Sequence, residues 1–266
     1  MKKVVLILLL FFTPGFLLTG EDFRFIQITD FHWGPQEHIR RLEAAVAMIR
    51  KLPWKIDFLA VTGDLTMENI LEPGVVAGIK KTIATTGIPV HWLPGNHDIL
   101  PYGTVKRRDE TRRIWEKHFS PLAYTVDHKG VRLIFSFMET VREGYTLPGY
   151  DTWGWLEHAL QQAGRRPVFL FHHAPPVRDF YFAGMNPQDK DPWGETNRIR
   201  YRTVVNRHGT VKGIFCGHFH RDDLHQVGSV PLFSAPSVAG YWGRQASFRV
   251  YHWQDGRLGY ITVYVQ

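Results

Sequence analysis

The sequence predicts an α/β sandwich with a mixed sheet. Apolar strand-like runs alternate with amphipathic helical stretches through most of the chain, and only strand-like runs occupy its last part. With 44% hydrophobic and 14% aromatic residues among 266, the chain can bury a core, and 21% charged residues argue against a disordered or fibrous protein. Cys216 is the only cysteine, which excludes an intramolecular disulfide and a thiolate metal cluster.

The first half of the chain alternates strands with helices. Residues 23–29 are rich in β-branched and aromatic side chains, as in a strand, and residues 37–52 place apolar side chains at helical spacing. The same patterns predict further strands at 57–62, 89–93 and 131–138, and further helices at 73–86, 111–119 and 152–163. His91 lies in one of these strand patterns and is expected to face solvent.

The second half continues the alternation and then becomes strand-rich. Strands are predicted at 167–171 and 211–216, with a helix at 196–207 between them. Three more strands are predicted at 230–234, 247–253 and 258–265, and Asp255-Gly256 predicts a hairpin turn between the last two. Residues 174–195 show neither period, and their four aromatic side chains favour an ordered loop.

The first twenty residues predict export from the cytoplasm. Two lysines precede an apolar run that ends before Pro14-Gly15, the layout of a secretory signal. Cleavage after Gly20 would leave Leu18 where a small residue is preferred, so an uncleaved membrane anchor stays open. The chain is therefore expected to be periplasmic or extracellular, either released or associated with the membrane through residues 1–20. Its net charge of +7 is accompanied by no nucleic-acid-reading motif, so no specific nucleic-acid binding is expected.

Polar side chains suited to binding metals follow five of the predicted strands. They are Asp30-Phe31-His32, Gly63-Asp64, Gly95-Asn96-His97-Asp98, His172-His173 and Gly217-His218-Phe219-His220. Ligands of open α/β sheets gather at the carboxyl ends of strands, so these segments can converge although they are distant in sequence. Residues two apart in an extended segment point the same way, which predicts that Asp30 pairs with His32 and His218 with His220. Oxygen and imidazole ligands together indicate Mn, Fe, Zn or Co.

The order D-x-H, G-D, G-N-H-D, H-H-x-P, G-H-x-H resembles the calcineurin-like metallophosphoesterase superfamily from residue 23 to the strand-rich end. Within it, the chain is most similar to the small bacterial phosphodiesterases that act on cyclic nucleotides and glycerophosphodiesters. The resemblance implies a four-layer αββα sandwich with two mixed sheets and a site for two divalent metal ions at one edge. By position it implies Asp30, His32 and His220 on the first ion, Asn96, His172 and His218 on the second, and Asp64 bridging both.

The resemblance also implies roles for neighbouring side chains. His172 is chosen over His173 because it directly follows the strand, which leaves His173 to support a ligand or contact the substrate. His97 stands over the site as the catalytic residue that protonates or stabilises the leaving group. Asp98 either orients His97 or caps a turn. Independently of the resemblance, Arg178 lies in the loop that directly follows His172-His173, which makes it a candidate contact for the substrate phosphate.

The implied function is hydrolysis of phosphate esters, with small phosphodiesters as the expected substrates. Two metal ions lower the pKa of a shared water, and the resulting hydroxide attacks phosphorus in line. The alternatives are a phosphomonoesterase or a nuclease on the same metal core, or a non-enzymatic scaffold. A scaffold would be expected to have lost ligands, whereas all seven are present, and a nuclease is disfavoured because 266 residues leave no room for a long capping domain.

Overall fold

Two mixed β-sheets face each other in the computed structural model, which describes residues 21–99, 104–142, 145, 147–178 and 193–266. The first sheet has the order β11-β10-β1-β2-β3, where β1 to β3 are parallel and β10 and β11 are antiparallel additions. Its strands are β1 (Phe23–Ile28), β2 (Phe58–Thr62), β3 (Val90–Leu93), β10 (Ser247–Gln254) and β11 (Arg257–Tyr264).

The second sheet has six strands in the order β4-β5-β6-β7-β9-β8. Strands β5, β6, β7 and β9 are parallel, and β4 and β8 pair antiparallel at the two edges. Its strands are β4 (Ala123–His128), β5 (Val131–Ser136), β6 (Val168–Phe171), β7 (Val211–Cys216), β8 (Asp223–Val227) and β9 (Val230–Ser234).

Helices cover the outer face of each sheet. The described helices are α1 (Gln36–Ile49), α2 (Val75–Ala84), α3 (Val105–His118), α4 (Thr152–Ala163) and α5 (Gly194–Arg207). In α1, the buried residues Leu42, Ala45, Val46 and Ile49 recur at helical spacing, so one stripe of the helix packs on the first sheet. Side chains of α4 and α5 form the equivalent core against the second sheet. The four-layer αββα sandwich expected from the resemblance is confirmed.

Aromatic side chains fill the space between the two sheets. Phe135 and Phe171 stack at 4.5 Å between ring centroids, and Phe25 stacks on Tyr251 at 4.7 Å across neighbouring strands. Such pairs contribute about 0.5–1.5 kcal/mol beyond the area they bury. His91 lies in this layer, against Phe58 and Phe135, so the expectation that it faces solvent is wrong. The alternation of β3 turns it inwards.

Two strands were missed by the sequence patterns, and one helix begins earlier than expected. The edge strands β4 and β8 alternate partly buried with exposed residues and are interrupted by charged or polar side chains such as Asp127 and Gln226. Helix α3 begins at Val105, where the Thr104 side chain caps the helix by accepting a hydrogen bond from Arg107 N. Its first turns are basic and therefore lack the apolar period that marks a helix.

The described helices include none that is both long and apolar enough to cross a membrane. The predicted leader, residues 1–20, and residues 179–192 of the predicted loop lie outside the described residues. The hairpin turn at Asp255-Gly256 is confirmed, with both residues in the left-handed backbone region that such a turn requires.

Candidate metal centre

The five polar segments of the sequence meet at one edge of the sandwich. Asp30, Asp64 and Asn96 follow β1, β2 and β3 of the first sheet, whereas His173 and His218 follow β6 and β7 of the second. The carboxyl ends of parallel strands point to one edge, so each sheet delivers its side chains to that edge. The site therefore lies between the sheets and is built by both.

A first cluster of potential ligands is formed by Asp30, His32, Asp64 and His220. One ligand atom from each lies within 4.8 Å of the others, and all four residues are buried. His220 Nε2 is 3.0 Å from Asp30 Oδ1, and His32 Nε2 is 3.9 Å from both Asp30 Oδ1 and Asp64 Oδ2. The two imidazole Nε2 atoms face each other at 3.2 Å. Two carboxylates and two imidazoles directed at one point form a site for a borderline divalent cation.

A second cluster shares Asp64 with the first and adds His173 and His218. His173 Nε2 lies 3.0 Å from Asp64 Oδ2. The amide of Asn96 adjoins this cluster, since its Oδ1 lies 2.9 Å from His218 Nδ1. Asp64 is thus common to two adjacent clusters.

The structure places His173 in the second cluster and His172 outside it, although the sequence analysis chose His172 as the ligand. Along β6, Val168 and Leu170 face the helices, whereas Phe169 and Phe171 face the other sheet. His172 continues the helix-facing series: Nε2 lies 2.7 Å from the Tyr201 hydroxyl and Nδ1 lies 3.0 Å from Ala174 O. His173 continues the inward series and reaches the metal site. Burial lowers the pKa of His172 to about 3, so it is neutral.

In each carboxylate of the site, one oxygen accepts the shorter hydrogen bonds from the protein and the other faces the imidazoles, although His218 N also lies 3.2 Å from Asp30 Oδ1. Asp30 Oδ2 accepts from the Thr29 hydroxyl at 2.6 Å and from His218 N at 3.0 Å. Asp64 Oδ1 accepts from His97 N at 2.9 Å. These hydrogen bonds fix the carboxylate planes, so Oδ1 of Asp30 and Oδ2 of Asp64 remain directed into the clusters.

The electrostatics of the site favour a bound cation. Burial alone would raise the pKa of Asp30, but the neighbouring imidazoles of His220 and His173 outweigh burial and lower it. Burial alone would lower the pKa of His173, but the Asp64 and Asp30 carboxylates outweigh burial and raise it to about 10. His173 Nδ1 donates to Thr62 O at 2.8 Å, so Nε2 is the atom that meets this negative charge. The donor set therefore fits two divalent metal ions.

The backbone at the site differs from the extended geometry expected of the D-x-H and H-x-H segments. Asp30, His32, His218 and His220 all have left-handed φ angles, between 44° and 68°. The expected pairing of Asp30 with His32 is confirmed, but it depends on two left-handed residues rather than on an extended strand. His218 and His220 are divided between the two clusters. Such strained backbone is concentrated at functional sites.

Glycines allow the strand ends to approach one another closely. A Cβ at Gly95 would collide with the Asp64 carboxylate, and a Cβ at Gly63, where φ is 97°, would collide with the His173 ring. Both positions therefore require glycine, because a side chain would displace a potential ligand.

His97 stands beside the first cluster. Its ring centroid is 5.1 Å from that of His32, and its Nδ1 lies 3.2 Å from Glu68 Oε1. The His97 side chain is 32% exposed, so it borders the space that a substrate would enter. Asp98 does not orient His97; it is buried and accepts hydrogen bonds from Gly95 N, Leu65 N and Thr66 N. Asp98 thereby holds the ends of β2 and β3 together.

Two residues that the sequence analysis did not select, Tyr241 and Trp242, lie over the first cluster. The Tyr241 ring is 4.7 Å from that of His220 and 5.0 Å from that of His32, and Trp242 stacks on His220 at 4.9 Å. The one available signal in the sequence was an aromatic pair between Gly240 and Gly243, next to a predicted strand.

The candidate phosphate contact Arg178 and two further side chains, Trp193 and Lys106, do not belong to the ligand clusters. Arg178 is exposed at the start of the long loop and belongs to neither cluster. Trp193 is buried against His172 and Tyr201 and so supports the core. Lys106 is exposed in the first turn of α3.

Comparison with known proteins agrees with this geometry. The family model described as calcineurin-like phosphoesterase matches residues 23–222. A 3′,5′-cyclic-nucleotide phosphodiesterase of Nostoc sp. is 25% identical over 83% of this chain and 80% of the relative, and a 3′,5′-cyclic adenosine monophosphate phosphodiesterase of Escherichia coli is 28% identical over 83% and 78%. A glycerophosphodiester phosphodiesterase of Enterobacter lignolyticus is 25% identical over 73% of this chain, and the match spans 66% of that relative.

Solved structures share the fold at low identity. A dimetal phosphatase from Danio rerio superposes with a TM-score of 0.63 at 12% identity, covering 92% of this chain and 99% of that chain. A Plasmodium protein described as the anchor in the inner membrane complex superposes with a TM-score of 0.65 at 11% identity, covering 92% and 85%. These likenesses concern the fold alone, so the activity has to be argued from the polar clusters.

Proposed function

Because the chain belongs to the calcineurin-like phosphoesterase family, we propose that this metal-dependent hydrolase acts on phosphodiesters of small molecules. The observation that carries the proposal is the sharing of Asp64 between two adjacent ligand clusters. A carboxylate in that position suits a pair of divalent ions, which polarise a phosphoryl oxygen and lower the pKa of a bound water. The side chains around the two ligand clusters would then act on the substrate and its leaving group.

We assign the first metal ion to Asp30, His32, Asp64 and His220, and the second to Asp64, Asn96, His173 and His218. The first set is supported by the mutual approach of its ligand atoms within 4.8 Å. In the second, Asn96 Oδ1 lies beside the His218 ring and supplies the amide oxygen. Both sets combine oxygen with imidazole nitrogen, which suits Mn, Fe, Zn or Co.

We assign protonation of the leaving group to His97. Its backbone N–H donates to Asp64 Oδ1, which places its ring at the border of the site, and Glu68 Oε1 lies 3.2 Å from its Nδ1. The imidazole can then give a proton to the departing alkoxide.

A small diester is favoured over the alternatives by the relatives, whose names describe phosphodiesterases of cyclic nucleotides and glycerophosphodiesters. A non-enzymatic scaffold would not require two clusters of buried, mutually facing ligand atoms, which are costly to bury without a cation. A phosphomonoesterase or nuclease would use the same metal core, so substrate comparison has to separate them.

The proposal is tested with metal-stripped protein reloaded separately with Mn, Fe, Zn and Co. The readout is kcat/KM for bis-p-nitrophenyl phosphate, p-nitrophenyl phosphate, a phosphopeptide and a single-stranded oligonucleotide. We expect turnover only with metal and a preference for the diester. Equal turnover by the stripped and reloaded protein would refute the metal mechanism, and a preference for the monoester or the oligonucleotide would refute the small-diester assignment.

We further propose that the protein is exported, with residues 1–20 acting either as a cleaved signal or as an anchor. The support is the charged start and apolar run of that segment. Cell fractionation, together with the amino-terminal sequence of the mature chain, tests the proposal. Recovery of the intact chain from the soluble cytosol would contradict it.

A further inference from the structure

The segment between β9 and β10 places two aromatic side chains against the first ligand cluster. Tyr241 is the inner one: it is half-buried, and its ring contacts His32, His38 and His220 at centroid distances of 4.7–5.1 Å. Its hydroxyl donates to Met67 Sδ at 3.1 Å, from the loop that follows Asp64. Trp242 is the outer one, and its indole stacks on the His220 ring with 24° between the planes.

The segment is attached to the same strand end that carries Asp30. Ser237 Oγ donates to Asp30 O at 2.6 Å, and Val238 N donates to Thr29 O at 3.1 Å. Arg41 of α1 donates to Ala239 O, just before the aromatic pair. These bonds fix the segment relative to the ligand cluster, so the aromatic side chains occupy defined positions at the site.

Trp242 has two properties that core packing does not require. Its side chain is 53% exposed, although it lies against a buried histidine. Its φ is 55°, a left-handed value that is a genuine outlier for a bulky residue. The surrounding bonds therefore hold an exposed indole at the rim of the site at a cost in backbone strain. Arg244 adds positive charge there, with its guanidinium 5.7 Å from the indole centroid.

We propose that Trp242 is a specificity-determining residue that stacks on a planar aromatic group of the ester substrate, with Tyr241 as its rigid support. The inference rests on the proposed function and deepens it by naming the substrate class. An indole at the rim of the site favours esters that carry a nucleobase or another flat ring, because stacking requires a π-face on the substrate. A glycerol ester has no such face, so the rim distinguishes the two kinds of diester that the relatives' names describe.

Binding to the metal-loaded, full-length protein tests the inference without depending on turnover. The probes are adenosine 5′-monophosphate and ribose 5-phosphate, which differ only in the base, titrated by calorimetry. We expect Trp242→Ala to weaken binding of the nucleotide roughly 5- to 150-fold, the contribution of one stacked base, and to leave ribose 5-phosphate unchanged. Trp242→Phe should restore most of the affinity.

Two controls separate stacking from structural effects. Trp54→Ala removes an indole that is 40% exposed in a different surface cavity, beside Arg24 and Tyr260, and should alter neither affinity. Metal content of each variant is measured by mass spectrometry. Equal weakening of both probes by Trp242→Ala, or loss of metal, would overturn the inference in favour of a role in supporting His220. Equal affinity of the wild-type protein for the two probes would also overturn it.

Turnover distinguishes failure of this inference from failure of the proposed function. The substrates are 3′,5′-cyclic adenosine monophosphate and glycerophosphoethanolamine. If the wild-type protein hydrolyses both and Trp242→Ala lowers kcat/KM for the cyclic nucleotide alone, mainly through KM, the inference is supported. If Trp242→Ala lowers both to the same extent, the specificity role is wrong while the phosphodiesterase stands. If the wild-type protein hydrolyses neither, the proposed function fails, and the binding comparison still decides the role of Trp242.

Discussion

Nε2 of His173 lies 3.0 Å from Oδ2 of Asp64, whereas Nδ1 of the same ring donates to the carbonyl oxygen of Thr62. A neutral ring with its proton on Nδ1 would direct a lone pair at a carboxylate. The geometry therefore requires a positive charge between the two residues, either a proton on Nε2 or a bound cation. The two adjacent histidines of the sequence thus have unlike environments, and only His173 faces the carboxylates.

Replacing each of these histidines should have a different effect. His173→Ala should remove one of the two bound metal equivalents, because it deletes a side chain of the second cluster. His172→Gln should retain both equivalents but lower the free energy of unfolding by about 1–3 kcal/mol, because the buried Tyr201 hydroxyl loses its partner. Metal analysis and urea denaturation of the purified variants provide the measurements. Loss of metal in His172→Gln, with retention in His173→Ala, would restore the original assignment.

Asp64 should matter to both metal ions and His220 to one. Asp64→Asn should weaken both equivalents together, because its carboxylate belongs to both clusters, whereas His220→Ala should empty only the first. Titration of the stripped variants with Co or Zn, followed by metal counting, distinguishes the two results. Tight binding of two equivalents by Asp64→Asn would show that this carboxylate does not bridge.

Gln27 should maintain the spacing between the two sheets. Its buried amide nitrogen donates to Thr62 Oγ1 at 2.9 Å in the first sheet and to Cys216 O at 3.0 Å in the second. Gln27→Leu should reduce metal affinity and should cost about 1–3 kcal/mol of stability for each buried group left without a partner. Gln226→Leu, at an exposed position of β8, serves as the matched control. An unchanged metal affinity in a destabilised Gln27→Leu would limit Gln27 to a structural role.

The free energy of unfolding should depend on pH through the protonation of His91. Burial between the sheets, together with the nearby His128, lowers its pKa to about 4 from an unfolded value of 6.5. As the pH falls, the unfolded chain therefore protonates His91 before the folded chain does. The contribution of neutral His91 to the free energy of unfolding is fully present above pH 6.5 and declines as the pH falls towards 4. His91→Phe should flatten this part of the profile, as measured by urea denaturation of metal-free protein between pH 4 and 7. A profile that remains as steep would exclude His91 as the cause.

Local sequence patterns were sufficient to predict most of the fold and the edge of the sandwich at which the site forms. The buried strands β2 and β6 are continuous apolar runs and β7 ends in one, and each is followed by polar residues that the parallel topology brings together. The edge strands β4 and β8 lack such a run, because one side of each is exposed to solvent. To predict β4 and β8, one would have needed to know which strands they pair with.

The site features that the sequence patterns did not predict share a physical cause. The choice between His172 and His173 depends on which face of β6 meets the other sheet, and both faces of that strand are apolar. The left-handed backbone at Asp30 and His218 arises from tertiary contacts, such as the hydrogen bond from His218 N to Asp30 Oδ2 across the sheets. Trp242 is brought to the site by bonds to a strand more than two hundred residues earlier in the chain. None of these depends on local sequence pattern.

The division of the site between two sheets has a kinetic consequence. His32 and His220 are 188 residues apart in the chain, so the first cluster is completed only after a very long loop has closed. A metal ion that requires both partners can bind only after the sheets have docked, so we expect its contribution to be absent from the folding transition state. It should therefore slow unfolding strongly while leaving the folding rate almost unchanged. Bound metal would then determine how long a folded molecule survives, rather than how quickly it forms.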